Sequence, residues 1–321
     1  MKRTVSILLA LAMIFALCAC SKDEPKPTGE PEPTPTPYEA VTVSNHDRLI
    51  TVKKMPQKVV TIGPNCTELF CLLGLSGSVT GKCMDNHSRG AQESIAEAYN
   101  AIPDISYGYP KLDDILESDC DFVYALGWAF KDDLTVEALE KRGITVYVSE
   151  ATTLEGIWKE IRDIGSIFKV SETAESFIGS ELLRIDNVSK IIGDAAPVKV
   201  FVYDSQIGGM AYTAGAMALE SRLIEAAGGE NVCGGLESEW GVVEFENVLS
   251  AVPDYIIVHD YDGVSYDEKI KQIKADPYLS QLGCVQNDRF IKLSLENVLP
   301  GSRTALTVET IAQAIHADKY R

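Results

Sequence analysis

Histidine is scarce, with four in the chain, His46, His87, His259 and His316, scattered without metal-ligand spacing. A closed shell for bare zinc or manganese is therefore not expected. Basic residues are also few: 29 Lys and Arg against 47 Asp and Glu leave a formal charge of -18. Such a surface repels nucleic acid and anionic lipid headgroups, so neither is an expected partner. No CxxC spacing occurs. No apolar run reaches the roughly 20 residues that a spanning helix needs. Enzyme signatures are incomplete as well. Gly77 to Lys82 has one residue too few between its glycines for a phosphate loop, and Cys83 stands where that loop needs a hydroxyl. Gly63-Pro64-Asn65-Cys66-Thr67 sets a thiol between a strand and a helix but lacks the second glycine of a nucleophile elbow.

The first forty residues carry the clearest signal. Lys2 and Arg3 precede an apolar run from Val5 to Ala19, and Leu17-Cys18-Ala19-Cys20 then gives way to Ser21-Lys22-Asp23-Glu24. These are the zones of a cleaved secretory leader. The Leu-x-Ala-Cys order resembles a bacterial lipobox, which implies residues 1–19 as signal peptide and Cys20 as the lipidated residue. From Glu24 to Tyr38 the chain reads EPKPTGEPEPTPTPY, a composition that forms no core and predicts an extended spacer over 20–40. A lipid-anchored, extracytoplasmic body is expected.

That body is long enough to split into two lobes. Short β-branched runs, among them Val59–Ile62, Phe122–Ala125, Val146–Val148, Val198–Val202, Tyr255–Val258 and Phe290–Leu293, alternate with helical patterns. Alternation of this kind predicts parallel sheets covered by helices. Leu154, Ile157, Trp158, Ile161, Ile164 and Phe168 follow helical spacing, with Thr152 and Glu155 as a capping box. A second stripe, Ala174, Phe177, Ile178, Leu182, Ile185 and Val188, predicts a long helix from about Ser171 to Ile192. An internal repeat frames it: Leu112 to Val123 aligns without gaps to Phe245 to Ile256, each reading as a short helix, a turn closed by Asp121 or Asp254, and a buried strand. The expected fold is α/β, with two Rossmann-like lobes over 41–170 and 194–321 joined by an interlobe helix at 171–193. A ligand belongs in the cleft between the lobes, at the carboxyl ends of the strands. Of the six cysteines in the body, Cys233 and Cys284 are the favoured pair if a disulfide forms.

Four segments in this order carry a family resemblance: Pro56 to Val60 leading into Pro64 to Glu68, the Leu112-to-Val123 unit, Ala226 to Val232, and Trp240 to Asp254. The chain resembles the substrate-binding lipoproteins of ATP-binding-cassette importers, in the helical-backbone class that serves ferric siderophores, haem and cobalamin. That resemblance implies a monomer that delivers a metal chelate to a permease with a cytoplasmic ATPase, with neither catalysis nor a resident cofactor. It also implies one exposed docking glutamate per lobe, at Glu68 and Glu246, which orients the protein on the permease more than it adds affinity. Glu68 lies near a helix start, where the helix dipole by itself favours a carboxylate.

Aromatic residues gather in the loops expected at the strand ends, and large, partly apolar ligands need such surfaces. The candidate cleft residues are Asn65, Tyr107, Tyr109, Trp128, Tyr212, Trp240, Tyr261 and Arg303. Trp240 corresponds to a position that stacks on cobalamin in similar proteins. Basic residues in these loops are few, which favours a neutral or cationic hydroxamate chelate over a triply anionic catecholate. Cobalamin follows closely, and haem, needing Tyr212 or His87 as axial ligand, comes third. The rival from another class is a lipoprotein enzyme with Cys66 as nucleophile.

Overall fold

The computed structural model describes residues 37–261 and 263–321. The leader, lipidation at Cys20 and nearly all of the spacer lie outside the described residues. Among the described residues no helix is long and apolar enough to cross a membrane.

Strands Val59–Ile62 and Phe122–Leu126 are buried along their whole length, as expected of parallel strands covered on both faces. They are central in a five-stranded parallel sheet, ordered Asp104–Ser106, Val79–Cys83, Val59–Ile62, Phe122–Leu126, Thr145–Ser149. A second parallel sheet runs Gly229–Asn231, Val198–Tyr203, Tyr255–Asp260, Phe290–Ser294. Its residues alternate between two cores. Val200, Val202 and Ile257 join the larger cluster, while Phe201, Tyr203, Ile256 and Val258 join a separate one on the other face. An antiparallel hairpin, Val41–Asn45 with Arg48–Val52, precedes the first sheet. A three-stranded antiparallel sheet, Trp240–Val243, Met210–Ala214, Ser205–Ile207, accompanies the second.

The helix Ser171–Ile192 packs on Leu154–Ile167 of the first lobe and Thr304–Ile315 of the second. Its 22 residues span about 33 Å at the usual helical rise, long enough to tie both lobes together. Ala174, Ile178 and Val188 are buried on it as the spacing predicts, but Leu182 is exposed, and Glu181 is buried instead. Glu181 accepts the amide hydrogen of Ala305 and the guanidinium of Arg184, so a polar contact to the second lobe occupies a place assigned to an apolar one. The preceding helix is capped by Thr153, whose hydroxyl accepts from Gly156, and not by Thr152. Trp158 is buried in the core as its stripe requires.

The repeat is reproduced in three dimensions. Asp121 accepts the amide hydrogens of Gln57 and Lys58, and Asp254 accepts that of Lys199; each aspartate's own amide donates back to the same lysine's carbonyl. The short helices Leu112–Glu117 and Phe245–Ala251 precede these turns. All six described cysteines, Cys233 and Cys284 included, are free and buried. The segment that glances at a phosphate loop is a 3-10 turn followed by the strand Val79–Cys83, with Lys82 buried between Asp85 and Asp104.

Candidate functional site

Strand ends in each lobe deliver the aromatic loops to one place. In the first lobe Val79–Cys83 runs into Met84, left-handed at φ 66°, and then the turn Asp85–His87. Phe122–Leu126 runs into the turn Gly127–Ala129 that carries Trp128, and Asp104–Ser106 leads to Tyr107 and Tyr109. In the second lobe Val198–Tyr203 ends at Asp204 and Tyr255–Asp260 at Tyr261. The antiparallel sheet adds a wall. Tyr212 faces Val242 in register, so Trp240, two residues along, projects from the same face. Their rings stack at 5.5 Å with an interplanar angle of 28°.

A second cluster forms around His87. Its ring meets Tyr109 at 5.8 Å and Trp128 at 5.4 Å, both edge-on, and Tyr261 of the other lobe at 6.2 Å. Tyr109 and Trp128 are 5.9 Å apart and each 40 % exposed; Tyr107 is more exposed still. Of the eight predicted cleft residues, Tyr109, Trp128 and Tyr261 therefore gather around His87 at the lobe junction, Tyr107 is exposed on the same loop as Tyr109, and the half-buried Tyr212 and Trp240 form the second-lobe wall.

Beneath the second-lobe wall lies a charged network that sequence reasoning did not find. His259, fully buried, holds Asp204 on Nδ1 at 2.9 Å and both oxygens of buried Glu220 on Nε2 at 3.0 Å. Asp204 also accepts from Tyr261 at 2.9 Å and Ser205 at 2.8 Å, and buried Lys269 donates to the His259 carbonyl at 2.8 Å. Burial works against a charged imidazole, but the Glu220 and Asp204 carboxylates outweigh it and push His259 up to about 9. Burial likewise opposes ionisation of Asp204, yet His259 holds it below the usual carboxylate range. The His259 ring touches Trp240 at 5.9 Å, which links the network to the stacked wall. Its members are scattered over residues 204–269, and no local spacing announces them.

Three predicted site residues serve the junction between lobes instead. Glu68 is 1 % exposed, and its carboxylate accepts Arg303 Nε at 2.9 Å and Nη2 at 2.5 Å, Ser302 Oγ at 3.0 Å and the Gln92 amide at 3.0 Å. It is not an exposed docking charge. The same bond spends the Arg303 guanidinium, which is also buried and is not displayed to a ligand. Asn65 is buried and donates to the carbonyl of Pro300 at 2.7 Å, so it too joins the lobes. Glu296 accepts the Arg89 amide at 2.7 Å, and Arg89 reaches Asp260 at 3.4 Å. Glu246 is exposed on the first turn of its helix, as expected.

Cys66 is fully buried, and burial holds its thiol well above the ordinary range. A neutral, enclosed thiol is a poor nucleophile. Among the described residues no group of three or more His, Cys, Asp or Glu side chains could hold a metal ion.

Comparison with known proteins agrees with this architecture. The periplasmic binding protein family matches residues 59–295. An uncharacterized ABC transporter substrate-binding lipoprotein, YvrC, of Bacillus subtilis is 24% identical over 87% of this chain and 85% of its own length. A cobalamin-binding protein of Halobacterium salinarum is 25% identical over 68% of this chain, an alignment that spans 57% of that protein. The crystal structure of an ABC-type Fe3+-hydroxamate transport system protein from Saccharomonospora viridis superposes with a TM-score of 0.73 at 23% identity, covering 85% of this chain and 98% of that one. With two parallel α/β lobes, a connecting helix and a family match that runs through both lobes, the chain belongs to the periplasmic binding protein family of ABC transporter substrate-binding proteins.

Proposed function

We propose that the protein is a lipid-anchored receptor, tethered through Cys20 outside the cytoplasmic membrane, that captures an iron-siderophore type metal chelate and hands it to an ABC permease without catalysis. The observation that carries this reading is the contact of rings across the lobes: His87, packed against Tyr109 and Trp128 of the first lobe, meets Tyr261 of the second, which adds the stacked Tyr212–Trp240 pair. Such rings can enclose a large, partly apolar ligand. The Fe3+-hydroxamate transport protein of the same fold supports the siderophore. Cobalamin is the second reading, supported by the Halobacterium relative and by the flat Tyr212–Trp240 pair. Haem is a third.

The permease-docking charges are reassigned. Glu246 keeps its role, and the internal repeat sets Asp113 opposite it, on the matching helix Leu112–Glu117, where it is exposed. Asp113 thus replaces buried Glu68 as the first lobe's docking carboxylate. Calorimetry of the mature protein against ferric hydroxamates, ferric catecholates, aquocobalamin, haem and free Fe3+, Zn2+ and Mn2+ tests the ligand. Tight binding of a bare ion alone, or of none of these, would overturn the metal-chelate reading.

A further inference from the structure

We propose that the cluster of His87, Tyr109, Trp128 and Tyr261 is a cation subsite, and that the ligand places a substituted ammonium group there. The inference rests on reading the aromatic loops as the ligand cleft and gives that ligand a charge and an anchoring group.

Two rings of the cluster already carry protein ammonium groups. Lys131 Nζ lies 3.6 Å from the Tyr109 ring centroid, and Lys269 Nζ lies 4.1 Å from that of Tyr261. The two differ in kind. Lys269 is buried and bonded to the His259 carbonyl, so it is a fixed part of the wall. Lys131 is exposed, on the loop after Trp128, and approaches a ring that is itself 40 % exposed. The negative face of an aromatic ring attracts a cation, most strongly once water is excluded. Tyr261 donates its hydroxyl hydrogen to the Asp204 carboxylate, which leaves its ring richer in electrons.

Three other cations near the cleft are committed elsewhere. Arg303 is held by Glu68, while Arg89 and Lys292 share Asp260. An anionic ligand group would find them neutralised, whereas a cationic one meets the half-exposed ring of Tyr109, covered by the exposed Lys131 alone among the described cations near it. A lysine ammonium is strongly hydrated and its side chain flexible. A ligand ammonium bearing alkyl groups sheds water more readily and is held in place by the rest of the chelate, so it can displace Lys131 from Tyr109.

The test compares one ferric hydroxamate chelate in two forms, with its terminal amine converted to a trimethylammonium group and with that amine acetylated, by calorimetry on the mature protein. The trimethylammonium form should bind about tenfold tighter, the preference should widen in Lys131→Ala, and it should vanish in Trp128→Ala. Equal affinity of the two forms would overturn the cation subsite while leaving the metal-chelate reading intact. If neither form binds, tetramethylammonium is titrated against tryptophan fluorescence of the wild type and Lys131→Ala. A saturable change, stronger in Lys131→Ala, upholds the subsite independently of the chelate; no saturable change overturns it.

Discussion

Glu68 and Arg303, 235 positions apart in sequence, form a buried two-pronged ion pair that joins the first lobe to the second. Removing Glu68 leaves the enclosed Arg303 with only the longer contact to Glu296 at 3.7 Å and the Gly90 carbonyl, and losing a buried partner costs far more than losing an exposed pair. Glu68→Ala should therefore lower unfolding stability by about 3–5 kcal/mol, read from denaturant melts, whereas Glu246→Ala should change it by less than about 0.5 kcal/mol. Equal, small effects would show that the pair does not hold the lobes.

Docking is separable from stability. Asp113→Asn and Glu246→Gln should leave ligand affinity unchanged and each reduce uptake in a reconstituted permease, with the double variant most impaired, because two separated charges orient a two-lobed body. Wild-type uptake by the double variant would remove both residues from the docking surface.

Trp240 stacks on Tyr212 and is only half-buried. Trp240→Ala should weaken ligand binding by roughly 1–3 kcal/mol if the ring meets the ligand. Quenching of tryptophan fluorescence by a coloured chelate reports the same contact. Unchanged affinity together with unchanged quenching would leave Trp240 a packing residue.

Stability should fall on the alkaline side. His259 is raised in the folded protein from 6.5 to about 9, so between these values the folded state holds a proton that the unfolded chain has released. The contribution, on the order of 3 kcal/mol, is complete below the lower value and is lost as pH rises through the upper one. His259→Gln should flatten that decline in denaturant midpoints measured between about pH 6 and pH 10. A variant with the wild-type slope would assign the proton elsewhere.

Local pattern made much of this molecule readable. Continuous apolar runs such as Phe122 to Leu126 announce doubly covered strands, and the stripe around Trp158 announces a core-facing helix. Val79–Cys83 was missed because Gly81 and Lys82 interrupt its apolar character, although Lys82 is buried by its bonds to Asp85 and Asp104. Asp104–Ser106 was missed because it is short, polar and at a sheet edge.

By itself the sequence determined the two-lobed α/β plan, the repeat, the connecting helix and the loops that hold aromatic residues, because periodicity and chain order are properties of neighbouring residues. Only the tertiary structure decided what each polar side chain does. Glu68 and Glu246 look alike in sequence, yet one lies against Arg303 and the other faces solvent. His259 is one of four scattered histidines until the fold sets Asp204 and Glu220 on either side of it. A charge takes its role from its burial and its partner, and both come from chain segments far away in sequence.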